Sequence, residues 1–195
     1  MSEILLYHHV QGLTDGVRSF ADELRRGGHT VHTPDLFEGR TFETLEDGMA
    51  FAGETGFGAL GERGVAAAEG TRPDVVYAGF SFGVMIAQRL AQTRRGARGA
   101  LLMYSCLPVS EFGDAWPAGV PVQVHGKEGD EFFLEDIDAA RALVESSDMA
   151  ELFLYPGSEH LFADSSLPAF DAAAAALLTE RVLAFLERIP AGESG

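Results

Sequence analysis

Short apolar runs alternate with longer amphipathic stretches along almost the whole chain. Most of the six runs are nearly continuously apolar, as expected for parallel strands that helices cover on both faces. This alternation predicts βα units around a parallel sheet, and therefore an α/β protein built as a three-layer α/β/α sandwich. Strands are predicted at 4–8, 29–33, 74–79, 100–105, 120–125 and 152–155, and helices at 16–26, 82–93, 136–146 and 170–189, with a less regular helix within 44–70.

Length, charge and cysteine content narrow the class of protein. The chain has 195 residues, and we expect a single domain over 1–189 with a flexible tail over 190–195. Asp and Glu total 30 against 14 Lys and Arg, and the resulting net charge of −16 disfavours nucleic acid and anionic lipid as partners. A single cysteine, Cys106, excludes an intrachain disulfide and a cysteine-based zinc site. The apolar run after Glu3 is too short for a signal peptide or a membrane span, so we expect a cytoplasmic protein.

The stretch Gly79-Phe80-Ser81-Phe82-Gly83 is the sharpest local signal in the chain. It follows an apolar run and opens a predicted helix, which is the strand-turn-helix context of a G-x-S-x-G nucleophile elbow. A serine on so tight a turn has strained backbone angles, and flanking glycines have no Cβ to collide with the neighbouring strand and helix. We therefore predict a nucleophile at Ser81; the alternative is a glycine-rich turn around an ordinary N-cap serine.

A nucleophilic serine needs a base to take its proton and an acid to orient that base. His160 lies in the loop after the last predicted strand, where the histidine of a Ser-acid-His order belongs. Asp130 lies in the loop after the preceding strand, and its turn position favours it, although Glu128 and Glu131 remain alternatives. The sequence therefore predicts a triad of Ser81, Asp130 and His160.

Acyl transfer through such a triad also needs two backbone N–H donors for the oxyanion of the tetrahedral intermediate. One donor is expected from Phe82, the residue after the nucleophile. The other is expected from the loop after the first strand, where Val10 is the preferred residue. Together these two N–H groups are the predicted oxyanion hole.

With these residues placed, the chain resembles the dienelactone hydrolase family of the α/β-hydrolase superfamily over nearly its whole length. The resemblance implies a minimal, cap-less α/β-hydrolase fold with about six parallel strands, in the spatial order 2-1-3-4-5-6. It also implies a small hydrolase of esters or lactones that needs no cofactor. The stretches that carry the resemblance are HVQGL (9–13), TPDLFEG (33–39), GFSFG (79–83), HG (125–126) leading to Asp130, and YPGSEHLF (155–162).

Several positions depart from the family pattern. Ser81 stands in place of a cysteine nucleophile, His9 in place of a glutamate, and Asp164 in the stretch where the family has a substrate-binding arginine. Six acids within 127–138 add negative charge near the predicted site, and like charges disfavour an anionic ligand. We therefore expect small neutral or cationic esters, lactones or thioesters as substrates, rather than dienelactone itself.

Two further residues, His9 and Phe162, are candidate substrate contacts. Other aromatic residues either line an apolar pocket or belong to the core: Phe82, Trp116, Phe132 and Phe133. The main alternative function is a non-catalytic α/β-hydrolase scaffold that binds a small molecule or a protein; a flavodoxin-like binder with Ser81 on a phosphate is a weaker one. The expected partner is the small-molecule substrate, and the expected state is a monomer or a weak homodimer.

Overall fold

The fold is built on one sheet of six strands with helices between them. The computed structural model describes residues 1–189, so the tail predicted at 190–195 lies outside the described residues. The strands are β1 (Glu3–Tyr7), β2 (Thr30–His32), β3 (Val76–Phe80), β4 (Gly99–Met103), β5 (Val122–Lys127) and β6 (Ala150–Tyr155). The helices are α1 (Asp15–Arg26), α2 (Leu45–Thr55), α3 (Phe57–Glu69), α4 (Phe82–Thr93), α5 (Glu131–Ser146) and α6 (Ala172–Arg188), with a short 3₁₀ turn at Val109–Glu111.

All neighbouring strands of this sheet are parallel. Their order is β2-β1-β3-β4-β5-β6, which confirms the predicted order. The chain reverses its direction of travel across the sheet at β1 and β3, and in open α/β sheets ligands bind beyond the carboxyl ends of the strands near such a point. The topology therefore points to the loop after β1 and the turn after β3, where the predicted nucleophile lies.

Two apolar layers cover the two faces of the sheet, which explains the nearly continuous apolar strands. On β1, Ile4 and Leu6 pack into a layer with α1 and α6. Leu5 and Tyr7 face the opposite layer, to which α2, α3, α4 and α5 contribute. The three-layer α/β/α architecture is therefore confirmed. Within residues 1–189, every helix is too short or too polar to span a bilayer.

Two helices differ from the sequence prediction. The stretch 44–70 holds two helices, because Gly56 has a φ of 92° and ends α2 one residue before α3 begins. The helix predicted at 136–146 begins five residues earlier, at Glu131. Its N-cap is Asp130, whose side chain accepts a hydrogen bond from the Phe132 backbone N–H. Asp130 and Glu131 are residue types favoured at a helix start, and sequence reasoning missed this signal because it assigned them to the loop after the strand. The predicted triad acid therefore lies at the amino end of a helix.

Candidate active site

The turn between β3 and α4 holds Ser81 in a strained conformation. Its φ is 49° and its ψ is −111°, a region that residues with a side chain rarely adopt. A Cβ on Gly79 would lie 2.3 Å from the carbonyl carbon of Gly83, and a Cβ on Gly83 would lie 2.5 Å from the Tyr7 carbonyl oxygen. Both glycines of the motif are therefore needed, since β1 and α4 approach the turn too closely for any side chain.

Ser81, His160 and Asp130 form a continuous hydrogen-bonded chain. The Ser81 Oγ lies 2.9 Å from His160 Nε2, and His160 Nδ1 lies 2.6 Å from Asp130 Oδ2. The carboxylate can only accept, so Nδ1 carries the proton and Nε2 is free to accept the serine hydroxyl. Asp130 is 1% exposed, whereas the alternative acids Glu128 and Glu131 are exposed to solvent. Of the three acids that the sequence left open, Asp130 is therefore the one that is buried and bonded to His160.

A buried lysine connects the acid loop to the histidine loop. The Lys127 ammonium, with a side chain 1% exposed, lies 2.7 Å from both Glu159 Oε2 and Asp171 Oδ2. Its hydrogen bonds lower the pKa of both carboxyls. The Gly129 N–H also donates to the Gly157 carbonyl at 2.9 Å. Sequence reasoning missed Lys127; its only signal is that it is the one lysine in the chain.

Both predicted oxyanion donors lie beside the nucleophile. Val10 and Phe82 line the same cleft as Ser81 and His160. Phe82 is the first residue of α4, so its N–H has no acceptor within the helix. For Val10, no partner of the N–H is found among residues 1–189. Two unpaired N–H groups at one cleft are what an oxyanion hole needs.

The structure places the two candidate substrate contacts away from this cleft. His9 is 1% exposed and its ring is bonded on both sides, to Asp164 Oδ2 at 2.7 Å and to the Gln11 N–H at 3.2 Å. Phe162 is fully buried, with its ring centroid 5.1 Å from that of Tyr104. Neither side chain lines the cleft, because the His9 ring is bonded to Asp164 and the Phe162 ring is packed between Tyr104 and Tyr155.

The cleft at Ser81 has a volume of about 300 Å³ and a mostly apolar wall. Two of the predicted aromatic residues, Phe82 and Phe132, line it, whereas Phe133 and Trp116 belong to the core. Two carboxylates also lie on the wall, and none of the described residues that line it is a Lys or Arg. The wall is completed by Val10, Met49, Phe57, Met85, Tyr104, Ser105, Leu107, Glu135, Asp136 and His160.

A larger depression, of about 690 Å³, lies at the opposite end of the sheet. It is formed around the amino ends of β4, β5 and β6, with Gly96, Pro121 and Met149 on its wall. Among the described residues that line it there is no serine, cysteine or histidine. Ligands of open α/β sheets bind beyond the carboxyl ends of the strands, so the smaller cleft at Ser81 is the candidate active site.

The fold and the family comparison define the protein as an α/β hydrolase. The model of the dienelactone hydrolase family matches residues 2–190, and the chain belongs to that family. The family assignment made from the sequence motifs is thereby confirmed. A comparison with curated protein sequences found no match.

Solved structures of other hydrolases have the same fold at low sequence identity. A dienelactone hydrolase-like promiscuous phosphotriesterase from metagenomic libraries is 20% identical with a TM-score of 0.74, over 97% of this chain and 87% of that one. A dienelactone hydrolase from Anabaena variabilis is 17% identical with a TM-score of 0.68, over 97% and 88%. An esterase from Pyrobaculum calidifontis is 15% identical with a TM-score of 0.65, over 96% and 76%.

Proposed function

We propose that the protein is a serine hydrolase that cleaves small carboxylic esters or lactones through an acyl-enzyme. Ser81 is the nucleophile, His160 the general base and Asp130 the acid that orients it. The observation that carries the proposal is the unbroken hydrogen-bonded chain, 2.9 Å from Ser81 to His160 and 2.6 Å from His160 to Asp130, that ends on a serine in an apolar cleft.

In the first half-reaction, the Ser81 Oγ attacks the carbonyl carbon of the substrate while its proton moves to His160 Nε2. The Asp130 carboxylate stabilises the imidazolium that forms. The N–H groups of Val10 and Phe82 donate to the oxyanion of the tetrahedral intermediate. The intermediate then collapses: the bond to the leaving alcohol breaks, and His160 gives its proton to that oxygen.

The second half-reaction uses the same groups with water as the nucleophile. His160 takes a proton from water, the hydroxide attacks the acyl carbon, and the bond to Ser81 Oγ breaks as the serine regains its proton. The His160 ring is flanked by Tyr104 at 5.6 Å and Phe132 at 4.9 Å between ring centroids. These rings restrict its rotation, which supports repeated proton transfer between one nitrogen and the reacting oxygens.

The proposal is tested with a fluorophosphonate probe, which forms a covalent adduct only with an activated serine. The expected result is one adduct per chain on Ser81, found by mass spectrometry, and loss of labelling by about 10³-fold or more in Ser81→Ala and His160→Ala. Ser158→Ala, at an exposed serine two residues before the base, is the matched control and should label normally. A folded chain that gives no adduct would support the alternative, a non-catalytic scaffold that binds a small molecule or a protein.

The charge of the cleft supports neutral or cationic substrates over anionic ones. Glu135 and Asp136 line it, with no basic residue on the wall within residues 1–189. The Asp136 carboxylate accepts a hydrogen bond from Ser105 Oγ at 2.6 Å. Phenylalanine rings on the same wall favour a cation further. The potential in the cleft is therefore negative, and it should attract an ammonium group and repel a carboxylate.

This preference is measured with three acetate esters of similar size: acetylcholine, its uncharged 3,3-dimethylbutyl analogue, and an analogue with a terminal carboxylate. We expect kcat/KM to fall in that order, with at least about threefold between the first two at low salt. Glu135→Gln should narrow the gap between the first two esters. Faster cleavage of the anionic ester would contradict the assignment of charge preference while leaving the serine hydrolase intact.

A further inference from the structure

A buried polar cluster lies behind the loop after β1, centred on the carboxylate of Asp164. Oδ2 lies 2.7 Å from His9 Nε2 and 2.5 Å from Thr14 Oγ1. Oδ1 accepts from the backbone N–H of Ser166 at 2.9 Å and from its hydroxyl at 2.6 Å. Asp164 is 4% exposed and His9 is 1% exposed. Three protein residues therefore donate to this carboxylate, His9, Thr14 and Ser166, and the proposed mechanism uses none of them.

These contacts define one orientation of the His9 ring. The Gln11 N–H donates to Nδ1, so Nδ1 carries no proton, and Nε2–H donates to Asp164. The His9 carbonyl also accepts the Gly12 N–H at 3.0 Å. The backbone N–H groups of Gln11 and Gly12 thus both donate to His9, the first to its ring and the second to its carbonyl oxygen. Val10, the proposed oxyanion donor, is the residue between them and the ring.

The carboxylate itself has no room to move. Burial raises the pKa of Asp164, but hydrogen bonds from His9, Ser166 and Thr14 outweigh this effect, so the pKa is lowered and the group is ionised at neutral pH. A Cβ on Gly16, in the first turn of α1, would lie 1.7 Å from Asp164 Oδ1. The amino end of α1 therefore packs directly on the carboxylate and favours its charge.

From this geometry we infer that Asp164 and His9 are positioning residues, which join the loop of the general base to the loop of the oxyanion hole. Asp164 lies four residues after His160, and His9 lies next to Val10. The hydrogen bond between them is a bridge that holds the Val10 N–H in place relative to His160. This position matters when the oxyanion forms, because an N–H donor that is displaced no longer stabilises the oxyanion. The inference rests on the proposed function, because an oxyanion has to form at Ser81.

Two substitutions at His9 separate the bridge from the turn. His9→Gln keeps an N–H donor within reach of Asp164, whereas His9→Asn keeps an acceptor for the Gln11 N–H but is too short to reach Asp164. We expect His9→Asn and Asp164→Asn to lower kcat by about 10- to 100-fold with little change in KM, and His9→Gln to stay within about fivefold. Thr14→Val, which removes one further donor to the carboxylate, should have an intermediate effect.

A boronic acid supplies a readout that a purely structural role would not move. Its tetrahedral adduct with Ser81 carries a negatively charged oxygen in the oxyanion position, so its inhibition constant should rise by the same factor as kcat falls. The matched control is His125→Asn at another buried histidine, whose nitrogens bind Tyr155 Oη and Gln123 Oε1. This control should leave kcat and the inhibition constant within about threefold.

The outcomes separate this inference from the proposed function. Equal kcat values in His9→Gln and His9→Asn, or wild-type kcat in Asp164→Asn, would overturn the bridge while labelling of Ser81 still supports the hydrolase. Failure of the wild-type chain to label would overturn both. Circular dichroism tests whether each variant is folded. If Asp164→Asn does not fold, the comparison of His9→Gln with His9→Asn tests the bridge instead.

Discussion

Two regions of the molecule hold the proposed triad, and they do so by different means. The elbow over 79–83 fixes Ser81 through backbone alone: a φ of 49° between two glycines that leave no room for a Cβ. The loops that carry Asp130 and His160 are instead fixed by side chains from distant parts of the sequence. Lys127 reaches Glu159 and Asp171, which lie 32 and 44 residues away.

The difference concerns how each region responds to change. The turn over 79–83 is enclosed by β1 and α4. Because packed interiors contain almost no free volume, small shifts of its neighbours cannot make room for an added side chain. The loops are instead joined by ion pairs whose carboxylates are partly exposed, since the side chains of Glu159 and Asp171 are 50% and 36% exposed. Water can solvate these carboxylates when one ion pair is removed, so the remaining contacts can persist. We therefore expect substitutions in the elbow to abolish labelling of Ser81 as well as to lower stability, and those in the loops to lower stability and turnover without abolishing labelling.

The largest expected effect is that of Gly83→Ala. The added Cβ would lie 2.5 Å from the Tyr7 carbonyl oxygen and 2.8 Å from that of His8, both backbone atoms of the β1 end. We expect the free energy of unfolding to fall by about 3 kcal/mol or more, and labelling of Ser81 to be lost. Urea unfolding and fluorophosphonate labelling measure the two effects.

The matched control for this substitution is Gly53→Ala in α2. A Cβ at Gly53 meets no atom within 4 Å, so the variant should gain about 0.5 to 1 kcal/mol from its higher helix propensity. Labelling of Ser81 should be unchanged in this control. If Gly83→Ala behaved like Gly53→Ala, the elbow would be adaptable and the contrast between the two regions would fail.

Lys127→Met tests the second region. The two carboxylates lose their shared cation but still reach water, so we expect unfolding to cost about 2 to 3 kcal/mol less and kcat to fall about tenfold. Ser81 should still react with the fluorophosphonate, though more slowly. A loss of labelling as complete as in Gly83→Ala would show that the loops are no more adaptable than the elbow.

The single lysine allows a direct check of this burial. An amine-reactive ester should modify only the N-terminal amine of the native chain, because Lys127 is 1% exposed. A second modification should appear only as the chain unfolds, at the same urea concentration as the loss of helical signal. Rapid modification of the native protein would place Lys127 at the surface and remove its role between the loops.

The same contrast explains how far sequence reasoning reached. The strands and the elbow follow from patterns that are local in sequence, namely apolar runs and a G-x-S-x-G turn between a strand and a helix, whereas the order of the strands follows from the resemblance to the family. His160 and Asp130 follow from their places after successive strands, because parallel strands end at one edge of a sheet. Predictions of this kind need no knowledge of which side chains meet.

The contacts that hold the site could not be predicted in this way. Nothing local in the sequence pairs His9 with Asp164, 155 residues away, or Lys127 with Asp171. The sequence therefore predicts a substrate contact at His9, whereas the structure buries its ring and bonds it to Asp164. A cytoplasmic location and a monomer or weak homodimer stay predictions.

Acid should lower the stability of the whole fold through His125, which lies in strand β5 and outside both regions. Burial, and then the charge of Arg181, lower the pKa of His125 from 6.5 to about 3. The unfolded chain therefore binds this proton below about pH 6.5 while the native protein does not, so the free energy of unfolding falls as the pH falls through this window. We expect wild type to lose about 2 kcal/mol more than His125→Gln between pH 7 and pH 5, measured by urea unfolding. If wild type and His125→Gln lost the same free energy of unfolding between pH 7 and pH 5, His125 would bind its proton as readily in the native protein as in the unfolded chain.

The smallest expected effect is at Tyr104, which contacts both regions. Its ring stacks on Phe80 of β3 at 5.6 Å and meets the edge of His160 at the same distance, and its hydroxyl accepts the Ala163 N–H at 3.0 Å. Tyr104→Phe keeps the ring contacts and leaves one buried N–H unpaired, which costs about 1 to 2 kcal/mol of stability. Because the rings and not the hydroxyl contact the triad, kcat should change by less than about threefold. A larger fall in kcat at this cost in stability would mean that the Ala163 contact positions His160, and that the histidine loop is held as rigidly as the elbow.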